Sequence, residues 1–146
     1  MPMPLPTLVV PEYECVLPSG RKVTYRPFLV REEKLLYLAM ESQDQKEMIK
    51  AVKEIIKNCT SVKKVDDLAT FEIELLFLRI RGKSVGEISE FKITCPDDEK
   101  TQVDVEVNLD EVNVIVPPDH TKKIKVTDEV TIVMKYPSID TFVKNN

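Results

Sequence analysis

Cys15, Cys59, Cys95 and His120 carry the most obvious chemistry in this chain, and their spacing limits what that chemistry can be. Zinc knuckles and disulfide frameworks need paired cysteines, because two ligands must converge on one ion or on each other. Three widely separated cysteines offer no such pair, and each reads first as a small buried hydrophobe. The turn CPDDE, residues 95–99, sets one thiol beside three carboxylates but has no second Cys or His close by. His120 is the single histidine; it lies in PPDHTKK next to Asp119, with no serine or cysteine tied to it locally as a nucleophile. GxGxxG, GxxxxGK[ST], HExxH and GxSxG are absent, and Gly20, Gly82 and Gly86 are too scattered to cradle a phosphate. The expectation is a protein that is not an enzyme and holds no cofactor or metal. The alternative is a small cytosolic metal-binding protein or enzyme using Cys95 and His120.

A second kind of chemistry is recognition. In RKVTYRPFLVREEK, residues 21–34, Tyr25, Arg26, Phe28 and Arg31 lie close together. The two arginines suit a partner carboxylate and Phe28 a hydrophobic anchor. Equally, Phe28 can staple the helix entry and pack inward, leaving the arginines solvated. Lys135 and Tyr136, in KYPS, end a strand with an aromatic before proline, which suits a plain edge or a docking edge. Tyr25, Arg26, Phe28, Arg31, Lys135 and Tyr136 make up the expected partner interface.

The bulk composition narrows the classes. With 146 residues, 42% hydrophobic and 32% charged, the chain suits one domain or two small subdomains on one core. The net charge of −4 argues against a protein that lives on nucleic-acid phosphates. No stretch approaches the roughly 18 consecutive apolar residues of a membrane span. MPMPLPTLVVP lacks the positive start of a signal peptide. Membrane, nucleic acid and small-molecule substrates are therefore not expected as partners, and assembly in a cytosol is.

Periodicity then assigns the elements. Residues 1–12, with prolines at 2, 4, 6 and 11, read as an extended arm. YECVLPSGRKVTY reads as a β-hairpin turning at 18–20, and Pro27 ends it. From about Val30 the period becomes helical: Leu35, Leu38 and Ala39 share a face with Arg31, widened by Leu36 and Met40. A second helix starts at Asp44, which with Glu47 has capping-box spacing, and buries Met48, Val52, Ile55 and Cys59. A third, at the centre of the core, runs from Asp66 or Asp67 to about Arg81, with Gly82 as its stop. Alternation returns in EISEFKITC and TQVDVEVNL around the turn PDDEK. A short strand at 113–116 follows, then a hairpin of KKIKV and VTIVMKY, then a helix start capped by Ser138. The expected class is α+β: an N-terminal β-hairpin, a three-helix segment, then an antiparallel sheet of four or five strands. The expected division is an arm at 1–12, a hairpin plus helical subdomain at 13–87 and an antiparallel β subdomain at 88–146.

Three ordered stretches carry a family resemblance: LPSGRKVTYRPFLVREEKLLYLAME at 17–41, VKKVDDLATFEIELLFLRIRGKSVGE at 62–87 and KKIKVTDEVTIVMKYPS at 122–138. Together they resemble the baseplate hub subunit, or hub assembly, family of T-even-type contractile-tailed phages, the myoviruses. The resemblance implies a virion tail baseplate protein assembled in the host cytoplasm. It would act by protein–protein contact with other tail and baseplate proteins, as a resident part or as an assembly chaperone. Relatives also imply a second cysteine soon after the position of Cys95, where this chain has Asp97, Asp98 and Glu99, and a helical region running on past position 146.

Overall fold

In a computed structural model the protein is described over residues 9–145. Residues 1–8 of the expected arm lie outside that range; Val9 is almost fully exposed.

The first hairpin forms where alternation and turn chemistry coincide. Strand β1, Tyr13–Val16, pairs antiparallel with β2, Lys22–Tyr25, with Tyr13 opposite Tyr25. Leu17 accepts from the Gly20 amide, 2.8 Å, and Gly20 takes the positive φ of 81° that closes the turn. The inward residues Leu17, Val23 and Tyr25 are buried, while Val16 faces out.

Helix α1 spans Val30–Ser42 and α2 spans Gln45–Cys59. The apolar stripe of α1 is narrower than expected. Ala39 is buried and Leu35 and Leu36 pack on the core, but Leu38 and Met40 lie more than half exposed. The buried face is 32, 35, 36 and 39, because one side only of α1 meets α2. Asp44 caps α2 by accepting from the Lys46 amide at 2.8 Å. Glu47 does not complete a capping box; it pairs with Lys50 at 2.6 Å.

Helix α3, Thr70–Val85, starts later and ends later than its sequence suggests. Asp66 and Asp67 belong to a separate 3₁₀ turn, Val65–Asp67. Gly82 is an interior residue of α3, buried beside Leu109 and Asp110. The stop is Gly86, whose φ of 135° lies where a Cβ is strained. Gly86→Ala is expected to cost about 1–2 kcal/mol despite the open space around it, from backbone strain alone. A urea midpoint unchanged from wild type would show the turn to be relaxed. Ile73, Leu75, Leu76 and Ile80 of α3 are buried at the centre of the core, with Ile55, Ile56 and Cys59 of α2 around them.

After α3 the chain is β, as expected, but its four strands form two separate ladders and not one sheet. Strand β3, Ile88–Thr94, pairs with β4, Gln102–Asn108. Strand β5, Lys123–Lys125, pairs with β6, Thr131–Val133. Residues 113–116 form no strand; that segment is held instead by Arg79. Helix α4, Ile139–Asn145, follows Ser138, whose Oγ accepts from the Thr141 amide. Ile139 packs back onto the core.

Candidate functional site

The knot at the hairpin–helix seam is internally partnered. Arg26 leaves β2 with its amide donating to the Cys59 carbonyl, 2.8 Å, which ties the strand to the end of α2. Its guanidinium donates to the carbonyls of Pro27 at 3.0 Å and Asn58 at 3.1 Å, and to both oxygens of Glu32 at 3.3 and 3.4 Å. Arg31 adds bonds of 3.1 and 2.9 Å to Glu32 Oε1. Glu32 Oε2 also accepts from the Leu29 amide at 2.9 Å, serving the N-terminus of α1, whose capping residue has no polar side chain. The Glu32 side chain is 0% exposed against 73% for Arg31. Burial pushes the Glu32 carboxyl up, and bonds from Arg26 and Arg31 outweigh it, leaving the group below its usual range.

The carboxylate that Arg26 and Arg31 hold is thus the chain's own. Nothing in the pattern of residues singles out Glu32 as the partner; arginines one residue and six residues before it are the available signal. Tyr25 is buried against Tyr13, ring centroids 5.6 Å apart, with burial raising its hydroxyl pKa. Phe28 is half-buried on Phe77 of α3, and its amide donates to Ser84 Oγ at 2.8 Å. The Arg31 side chain, apart from its bonds to Glu32, lies mostly in solvent. A similar buried carboxylate at the start of α3, Glu72, accepts from the Ala69 and Ser19 amides.

Tyr136 stands elsewhere, at the foot of the β5–β6 hairpin. It meets Phe71 of α3 edge-on at 4.9 Å, stacks on His120 and hydrogen-bonds to it. Half of Tyr136 stays exposed, as does the adjacent Lys135. Tyr25, Arg26, Phe28 and Arg31 therefore form one cluster, and Lys135 and Tyr136 another. Cys95 opens the β3–β4 turn, where its amide bonds Thr101, and His120 is engaged by Tyr136. Among the described residues no three Cys, His, Asp or Glu side chains gather as a metal site. Cys59 is buried, and desolvation pushes its thiol up to about 11, far from a nucleophile's range.

The surface that periodicity did not foresee lies on the two late hairpins. In the β3–β4 register Phe91 faces Val105 and Ile93 faces Val103, so four apolar side chains share one face with Val107. Phe91 remains 45% exposed and Ile93 47%. The opposite face carries Glu90 opposite Glu106 and Lys92 opposite Asp104. In the other hairpin Ile124 faces Ile132, the Val126 amide bonds the Val130 carbonyl, and the Met134 amide bonds Lys122. All five of those apolar side chains are about half exposed. Two-stranded ladders are marginal in water unless an apolar face is covered. Among the described residues each hairpin is tied to α3 at its base. Arg79 and Lys83 of α3 grip the Leu109 carbonyl at 2.8 Å and Asp110 at 2.8 Å, below β4. Phe71 holds Tyr136 below β6.

No helix among the described residues is long and apolar enough to cross a membrane. A family model described as T4 bacteriophage base plate protein matches residues 10–146. No curated protein and no solved structure matches the chain.

Proposed function

The chain belongs to the T4 bacteriophage base plate protein family, and from that premise we propose that it works in the hub region of a contractile-tail baseplate, by docking to other tail proteins and not by catalysis. The division of labour follows the expected boundaries: residues 13–87 act as the rigid body and 88–146 as the docking part. Assembly takes place in the host cytoplasm, and the destination is the virion tail.

One observation carries this reading: each late hairpin presents a row of about half-exposed apolar side chains on one face, Phe91, Ile93 and Val103 on the first and Ile124, Val126, Val130, Ile132 and Met134 on the second. Full burial of a Val, Ile or Phe is worth about 1.5–3 kcal/mol, so each half-covered side chain leaves about 1 kcal/mol for a neighbour to realise. Arg31, Lys135 and Tyr136 are the members of the two clusters best placed to extend such a contact, since Tyr25, Arg26 and Phe28 are occupied within the fold. The ordered segments at 17–41, 62–87 and 122–138 support the hub over other baseplate positions.

The test is a Phe91→Asp/Ile132→Asp double variant, one change per hairpin. Both sites are surface positions, so stability should stay within about 1 kcal/mol of wild type. Co-purification with tail proteins from infected cells should drop to background. Wild-type recovery of tail partners by a folded double variant would overturn the docking reading.

A further inference from the structure

A cleft of about 610 Å³ lies between α2 and the 3₁₀ turn, and a second of about 360 Å³ adjoins it beneath the first hairpin. The two share Lys63, Lys64 and Asp67, so they form one continuous groove. Cations from three distant parts of the chain converge on it: Arg21 and Lys22 from the first hairpin, Lys57 from α2, and Lys63 and Lys64 from the loop beyond. Among the described residues none of these five has a carboxylate within ion-pair distance. Lys53, in contrast, is held by Asp66 and Asp140, both at 2.6 Å. Val23, Val62 and Val65 lie beneath it, almost fully buried, so the apolar surface it exposes is largely the hydrocarbon stems of its lysines. Seven cationic side chains against three carboxylates line the groove, a local positive surplus in a chain of net charge −4, and such a surplus attracts an anionic ligand.

We infer that this groove docks an acidic segment of a protein partner. Carboxylates on an extended chain can meet the unpaired cations while an interspersed apolar side chain rests on the lysine stems. Glu54, Asp66 and Asp67 stand inside the same groove. A nucleic-acid backbone, negative at every step, would meet them too, whereas a polypeptide can place a neutral or basic residue there. No residue of β3–β6 lines the groove, so it is a surface separate from the apolar hairpin faces.

The test uses the full chain at low salt with two labelled probes, a short peptide alternating glutamate with leucine and single-stranded oligothymidine. The peptide should bind, and a Lys63→Glu/Lys64→Glu variant should lose about tenfold or more in affinity. Lys63→Gln/Lys64→Gln, the milder pair, should lose less but in the same direction. Lys122→Glu/Lys123→Glu changes net charge equally outside the groove and should leave binding as in wild type. Equal losses in both charge-reversed variants, absence of peptide binding, or tighter binding of oligothymidine than of peptide would each overturn the inference.

Discussion

Glu32→Ala is expected to lower the unfolding free energy by about 3 kcal/mol, as large an effect as any single side chain in this fold should produce. The carboxylate is fully buried and takes hydrogen bonds from two arginines and one backbone amide. Its removal leaves Arg26, only 17% exposed, without its charge partner and the Leu29 amide without an acceptor. Arg31→Ala should cost less than about 1 kcal/mol, because that side chain is mostly in water, where ion pairs are weak. Replacing Arg26 and Glu32 together by methionine should cost less than Glu32→Ala, since no unpaired buried charge remains. Urea denaturation of the three variants measures this. A Glu32→Ala midpoint within error of Arg31→Ala would show the buried pair to be unimportant.

The same group predicts an acid limb. Because the folded carboxyl sits below its unfolded range, the unfolded chain binds more protons at low pH than the folded one. The stabilisation is complete above the unfolded value of about 4.3 and is lost as pH falls through the lower folded value. Asp98 and Asp110 are also held low, Asp98 by bonds from Thr101 and Asp110 by Lys83, so Glu32→Ala should flatten this limb in part.

Leu76→Ala is the second large effect, about 3 kcal/mol, or roughly 10 °C in Tm for a chain of this size. Leu76 is 0% exposed on the central helix, in the same buried cluster as Ile55, Ile56 and Cys59 of α2. Ile132→Ala removes the same number of carbons from a hairpin face, yet should cost less than about 1 kcal/mol in the isolated protein. Parallel thermal melts decide it: similar losses at both positions would mean that the β5–β6 face is as well packed as the core.

Much of this architecture was legible because its determinants are local. The hairpin turn at Gly20, the alternation of β3 and β4 and the cap at Asp44 depend on residues a few positions apart. The limits of α3 were misjudged for a local reason with a tertiary cause. Asp66 and Asp67 look like helix starters, but they sit in a 3₁₀ turn closed by the Leu68 amide on the Val65 carbonyl, where Asp66 pairs with Lys53 of α2. Gly82 looks like a stop, but Leu109 and Asp110 pack against it where a larger residue would stand close. For the candidate sites the sequence showed the arginines and aromatics at 25–31 but not what they hold. Arg26 reaches the carbonyl of Asn58, thirty-two residues away, and no spacing rule reports that.

The sequence by itself determined the element types, their order and the α+β class, since hydrophobic period and turn chemistry act within a few residues. It also carried the family, through ordered segments spread along the chain. Only the tertiary structure decided where apolar faces and charges end up. Strand faces of the same alternating pattern become core in the first hairpin and open surface in the last two, because α2 and α3 cover one and not the others. Arg21 and Lys64 meet at one groove, and Arg26 turns inward to Glu32, because folding brings together groups that the chain keeps far apart.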